Sequence, residues 1–151
     1  MKKAIVGITL IFTSIISIAF TQKDKVPTVV KDAFSKKFPT VKRVNWQKEE
    51  VNEWEAEFKL KKKEYSANFL DDGTWQETEY EVDENEIPEH IISSVKASFS
   101  GYKIEEAEVS ETVHGINYEF EIEKGKSEMA ITIDSNGKII HKESEDDDER
   151  D

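Results

Sequence analysis

The chain contains no cysteine, which excludes disulfide scaffolds, thiol nucleophiles, Cys-ligated zinc and iron–sulfur centres. It also excludes the lipidated cysteine of a lipoprotein. Cations are scarce: 21 Lys and Arg stand against 33 Asp and Glu, a net charge of −12 over 151 residues. Phosphate neutralisation needs clustered basic side chains, so this balance argues against a nucleic-acid partner. There are three histidines, His90, His114 and His141, and none has a second ligand at metal-binding spacing. G-x-S-x-G, P-loop and G-x-G-x-x-G patterns are all missing. Carboxylates are abundant, but a catalytic pair needs a cleft that drives the two pKa values apart. Glutamates on a flat, wet sheet face would titrate ordinarily. We therefore expect no enzyme and no cofactor.

One long hydrophobic run exists, and it lies at the very start. Lys2 and Lys3 precede an uncharged stretch from Ala4 to Phe20, with small or short residues at Ser17 and Ala19. This pattern predicts a secretory signal peptide over residues 1–21, cleaved after Ala19 or Thr21. No later stretch is apolar enough to span a bilayer, so the expected product is an exported, periplasmic or secreted chain free of the membrane.

The remainder reads as one pattern written twice. Val26-Pro27, Val30, Phe34 and Phe38 correspond in order to Ile87-Pro88, Ile91, Val95 and Phe99. Trp54, Ala56 and Phe58 correspond to Tyr118, Phe120 and Ile122; Asp72-Gly73 corresponds to Asn136-Gly137. The offset grows by about three residues after the helix and then holds, as a short insertion before the second set of strands would produce. In each copy the four-residue recurrence predicts a helix opened near proline, closed by Pro39 in the first and Gly101 in the second. Strict alternation then predicts strands: Trp54, Ala56, Phe58 and Leu60 against Glu53, Glu55, Glu57 and Lys59, and Ile116, Tyr118, Phe120 and Ile122 against Asn117, Glu119, Glu121 and Glu123. Trp46, two residues after Val44, belongs to the core side. Asp72-Gly73 and Asn136-Gly137 predict two-residue type I′ hairpins. The expected architecture is α+β, two tandem repeats over residues 22–83 and 84–142, each one helix on a four-stranded antiparallel sheet. Repeats of about sixty residues are marginal alone, which predicts a shared interface. An acidic, disordered tail over 143–151 follows.

The V-P-x2-V-x3-F-x3-F-P pattern, Val44-x-Trp46, W-E-A-E-F at Trp54–Phe58 and the Asp-Gly turn, all repeated, resemble the PepSY-like, β-lactamase-inhibitor-like family of exported bacterial proteins. The resemblance covers about residues 24–142. It implies helix-on-sheet repeats and a binding or protease-restraining role, but its motifs are core positions and turns, which say little about activity.

An inhibitor of this fold would use the sheet face away from the helices, armed with aromatic anchors. In this sequence that face reads Glu53, Glu55, Glu57; Glu77, Glu79, Glu81; and Glu119, Glu121, Glu123. Such stripes ordinarily serve solubility. As a site they predict an unidentified protein or peptide partner with a basic surface, or alternatively a Ca²⁺ buffer or sensor using the acidic face and tail. Hairpin parity from a two-residue Asp72-Gly73 turn sets Phe69 against Gln76, pairs Tyr65 with Tyr80, and puts Leu70 and Trp75 together on the acidic face as a candidate anchor. A single bulge would instead turn Trp75 inward.

Overall fold

A computed structural model describes residues 25–144. The expected signal peptide over 1–21 lies outside the described residues, as do positions 145–151 of the expected tail. Two helices, α1 (Thr28–Lys37) and α2 (Glu89–Ser98), each precede four strands: β1 (Val44–Glu50), β2 (Glu53–Leu60), β3 (Lys63–Leu70) and β4 (Trp75–Glu81), then β5 (Lys103–Thr112), β6 (Gly115–Lys124), β7 (Ser127–Asp134) and β8 (Ile139–Ser144). Glu143 and Ser144, expected in the tail, instead close strand β8.

Both helices start where the sequence places them. Pro27 and Pro88 are N-caps with extended ψ of 146° and 135°, one residue before the first helical turn. Phe38 still donates its N–H to the Phe34 carbonyl at 2.8 Å, but Pro39 behind it forbids another α residue. One helical stripe is then buried: Val30 and Phe34 in α1, Ile91, Ile92 and Val95 in α2.

The two expected four-stranded sheets are instead one eight-stranded antiparallel sheet in the order β1 to β8. A free β4 edge would leave a row of unpaired N–H and C=O groups. Pairing with β5 removes it, from Glu77 opposite Thr112 to Glu81 opposite Glu108. Beneath it lie two cores on the helix side. The first is aromatic: Phe34 has the rings of Phe38, Trp46, Phe58 and Phe69 at 5.1, 5.4, 5.1 and 6.1 Å. Each such pair contributes about 0.5–1.5 kcal/mol beyond the area it buries. The second is mainly aliphatic, with Ile91, Ile122, Ile131 and Ile133 at its centre. Tyr65, packed on the first core, stacks at 4.8 Å on Tyr80, packed on the second, and so bridges them.

The hairpins correct the expected turn. Gly73 N–H bonds the Leu70 carbonyl at 2.8 Å and Leu70 N–H bonds the Thr74 carbonyl at 2.9 Å, with Gly73 at φ +86°. This is a three-residue loop with glycine in the left-handed position, not a two-residue type I′ turn. It moves the register by one and sets Phe69 opposite Trp75; a bulge at Gln76 then restores it, so that Asn68 faces Glu77 and Tyr65 faces Tyr80. The second copy repeats both steps at Asp134–Lys138, with Ile133 opposite Ile139 and Thr132 opposite His141. A true type I′ geometry does occur at Lys61-Lys62 between β2 and β3, where both residues have positive φ, 52° and 74°.

Candidate functional site

The loop-plus-bulge arrangement decides which side chains reach the face away from the helices. Trp75 does not. It packs against the aromatic core on the helix side, donates Nε1–H to Thr78 Oγ1 at 2.9 Å, and carries the Lys37 ammonium 3.5 Å above its ring. The expected Leu70–Trp75 anchor pair is therefore absent: Leu70 is opposite Glu53 on β2, and Trp75 is on the other side of the sheet. Because the bulge is spent within one residue, Glu77 and Glu79 keep the expected outward parity.

The outward face is not flat. Side chains from β1 through β8 line one trough of about 1870 Å³. Small polar residues, Ser66 on β3 and Thr132 on β7, line it among the longer glutamates, and the buried Ser110 on β5 lies beneath Glu77. Glu53, Glu55, Glu57, Glu77, Glu79 and Glu119 all line it. Glu121 and Glu123 stand on the same face of β6 but beyond the trough lining, opposite Glu106 and Lys103. Two contributors were missed from the sequence, Glu106 and Glu108 on β5. Their alternation with Ala107 and Val109 was the available signal.

Ladder register places carboxylates directly against one another. Glu81 faces Glu108, Glu108 faces Glu119, and Glu106 faces Glu121. Hydrogen bonds relieve only part of this crowding. Asn68 Nδ2 donates to Glu53 at 2.8 Å, Asn45 Nδ2 donates to Glu57 at 2.7 Å, and Ser110 Oγ reaches Glu77 at 3.5 Å. The Oε2 atom of Glu119 is buried with no hydrogen-bond partner.

Burial and like charge together raise the proton affinity of these groups. Glu79 is pushed up to about 8, by burial first and then by Glu77, Glu119, Glu108 and Glu55. Glu108 rises to about 7, by burial and then Glu106, Glu119, Glu81 and Glu121. Glu55 also rises to about 7, by burial and then Glu49 and Glu57. Glu77 and Glu119 are raised chiefly by burial, with Glu53 and Glu77 respectively as the acidic neighbour. Ordinary titration on a flat face was the expectation; burial in the trough and the neighbouring carboxylates overturn it. Where the sheet is only edged by acid the reverse holds: Lys48 and Trp54 Nε1 bond the Asp71 carboxylate at 3.0 and 2.7 Å and hold its pKa down.

A family model of beta-lactamase-inhibitor-like, PepSY-like proteins matches residues 52–141, more than half of the chain. The chain belongs to this PepSY-like family. Solved structures agree on the fold. A DUF2874 family protein from Bacteroides uniformis is 18% identical with a TM-score of 0.73, covering 80% of this chain and 90% of that one. A BLIP-like protein from Bacteroides fragilis is 17% identical with a TM-score of 0.71, covering 82% and 89%. A further DUF2874 family protein, from Bacteroides ovatus, is 13% identical with a TM-score of 0.72, covering 80% and 89%. No curated protein matches the chain.

In this PepSY-like chain the cations that line the trough stand toward its ends. Arg43 precedes β1, Lys59 is bound to Glu64 at 2.7 Å, and Lys142 is on the edge strand β8. Among the described residues no group of three or more His, Asp or Glu is arranged to hold a metal ion. Among the same residues no helix is long and apolar enough to cross a membrane.

Proposed function

We propose that this chain is an exported, non-enzymatic binding module that takes a cationic segment of a protein or peptide into its concave acidic face. The observation that carries the reading is convergence: carboxylates from β2, β4, β5 and β6 crowd one trough and raise each other's charging cost. Lysine or arginine side chains entering it would remove that cost, and a polypeptide can deliver several at once. Membership in a beta-lactamase-inhibitor-like family supports protein as the ligand class. The N-terminal hydrophobic segment supports export. Exposed Val51 and Val113, at the tips of the β1–β2 and β5–β6 hairpins, offer apolar contacts beside the charged surface. Charge complementarity of this kind acts mainly on association rate and specificity, and it is screened by salt.

The test compares the chain from Gln22 onward with its Glu55→Gln/Glu77→Gln/Glu119→Gln variant. Both are immobilised and exposed to the cell-envelope extract at low ionic strength. Proteins held by the wild-type chain, released by about 0.5 M salt and not held by the variant are the expected result. Equal retention by both, or retention indifferent to salt, would refute a role for the acidic face.

A further inference from the structure

The trough has a property that a plain acidic surface lacks. Its carboxylates are not spaced along one strand but are stacked across the ladder, β4 against β5 and β5 against β6. Glu55 on β2 and Glu119 on β6 both act on Glu79, from opposite sides of β4. Like charges paired across the ladder in a half-buried space raise the cost of ionising one another, and one oxygen of Glu119 lacks a partner.

Resting on the binding function proposed above, we infer that the trough is proton-gated: its floor carboxylates hold protons in the free protein and release them to solvent when the positive side chains of an entering segment arrive. The event balances simply. Each O–H on a floor carboxyl gives its proton to solvent, and the carboxylate left behind is neutralised by an ammonium or guanidinium from the partner. Nothing is oxidised or transferred. Affinity must then rise with pH across the range in which these groups ionise, because below it each binding event has to expel protons held more firmly.

The charged surroundings support this from every strand that packs around Glu79. Ser110 on β5 and Ser66 on β3 stand directly opposite it, and the acidic groups that act on it are Glu77 on its own strand, Glu108 on β5, Glu119 on β6 and Glu55 on β2. β3 offers Asn68 and Ser66 toward the trough, with Glu64 engaged by Lys59 farther along. Thr132 on β7 is uncharged; Glu49 and Glu50 on β1 add negative charge. On β8, His141 sits near Glu119 and opposes the rise of its pKa, with Glu143 3.7 Å from the His141 ring. Glu79, Glu55 and Glu108, raised to about 8, 7 and 7, span neutrality.

The experiment uses a decalysine peptide, whose amines stay charged throughout, titrated by calorimetry into the full chain at constant low ionic strength. Runs at about pH 6, 7 and 8.5, in buffers of different ionisation enthalpy, count the protons released. The expected result is binding about tenfold or more tighter at pH 8.5 than at pH 6, with net proton release near neutrality. Glu79→Gln should keep binding but flatten that slope. Carboxyl-carbon NMR of the free wild-type protein supplies a readout independent of any variant and should show Glu79 ionising far above the ordinary glutamate range. Binding that is equally tight at all three pH values, with no protons released, overturns the gate while leaving the binding site standing. No binding at any pH overturns the binding reading and the gate with it. Ordinary ionisation of Glu79 in the free protein overturns the gate whatever the peptide does.

Discussion

Replacing Glu79 with glutamine should make the protein more stable, and only in neutral to alkaline solution. The substitution is nearly isosteric with the protonated acid, so it deletes the charge without opening a cavity. The folded-state pKa of Glu79 is raised from 4.5 to about 8. A carboxyl raised in this way binds its proton more tightly folded than unfolded. Its contribution is therefore neutral below the unfolded value. It becomes increasingly unfavourable as pH climbs from about 4.5 to about 8, and constant beyond. At 1.36 kcal/mol per tenfold change in proton affinity, the full penalty reaches about 5 kcal/mol. Some of it would survive the substitution, because Glu55, Glu77, Glu108 and Glu119 still repel one another. A gain of roughly 2–3 kcal/mol at pH 8.5 and near zero at pH 4.5 is the expected outcome. Urea denaturation followed by tryptophan fluorescence at the two pH values measures it. A gain of the same size at both, or a loss at the higher, would refute the account of the trough as a strained cluster of charge.

Trp75→Ala should destabilise by about 2–4 kcal/mol through lost packing and the orphaned Thr78 hydroxyl, yet leave decalysine affinity unchanged; melting and calorimetry on one preparation separate the two effects. Phe69, fully buried, should cost about 3–5 kcal/mol on truncation to Ala, read from the denaturation midpoint. Lys61→Asn with Lys62→Gly should stabilise by about 1–2 kcal/mol, because the β2–β3 turn holds both lysines at positive φ; an unchanged melting temperature would refute that origin of strain. Gly73→Ala should destabilise, since its φ is +86° and an added Cβ would meet the Val29 carbonyl at 3.0 Å; thermal melting reads the loss.

The helices and the strand faces were legible because each depends on a local period. Val30 and Phe34, or Ala56 and Phe58, declare a buried side without reference to anything distant. The outward placement of Glu53, Glu55 and Glu57 followed from the same alternation. Trp75 was not legible. Its side depends on whether the Asp-Gly turn has two residues or three and on whether a bulge follows, and those choices leave almost no trace in residue type. The union of the two sheets was hidden for another reason. The β4–β5 ladder is made of backbone groups, and nothing in Glu77 or Thr112 announces that their strands pair. The proton affinity of the trough was hidden with it: Glu119 on β6 acts on Glu79 only because β4 and β5 pair, and burial in the trough belongs to the whole sheet.

That same β4–β5 ladder has a kinetic consequence. Every other strand pair is closed by a short hairpin, whereas β4 reaches β5 only across the 3₁₀ turn at Glu84–Glu86 and the whole of α2. Its loop is the longest in the ladder and the costliest to close, so this pairing should form last as the chain folds. Until then each four-stranded half presents a naked rim. On the β4 rim Glu77, Glu79 and Glu81 are waiting, and a rim of like charges discourages a second chain from docking there. The glutamates that crowd the finished trough would thus also chaperone its assembly.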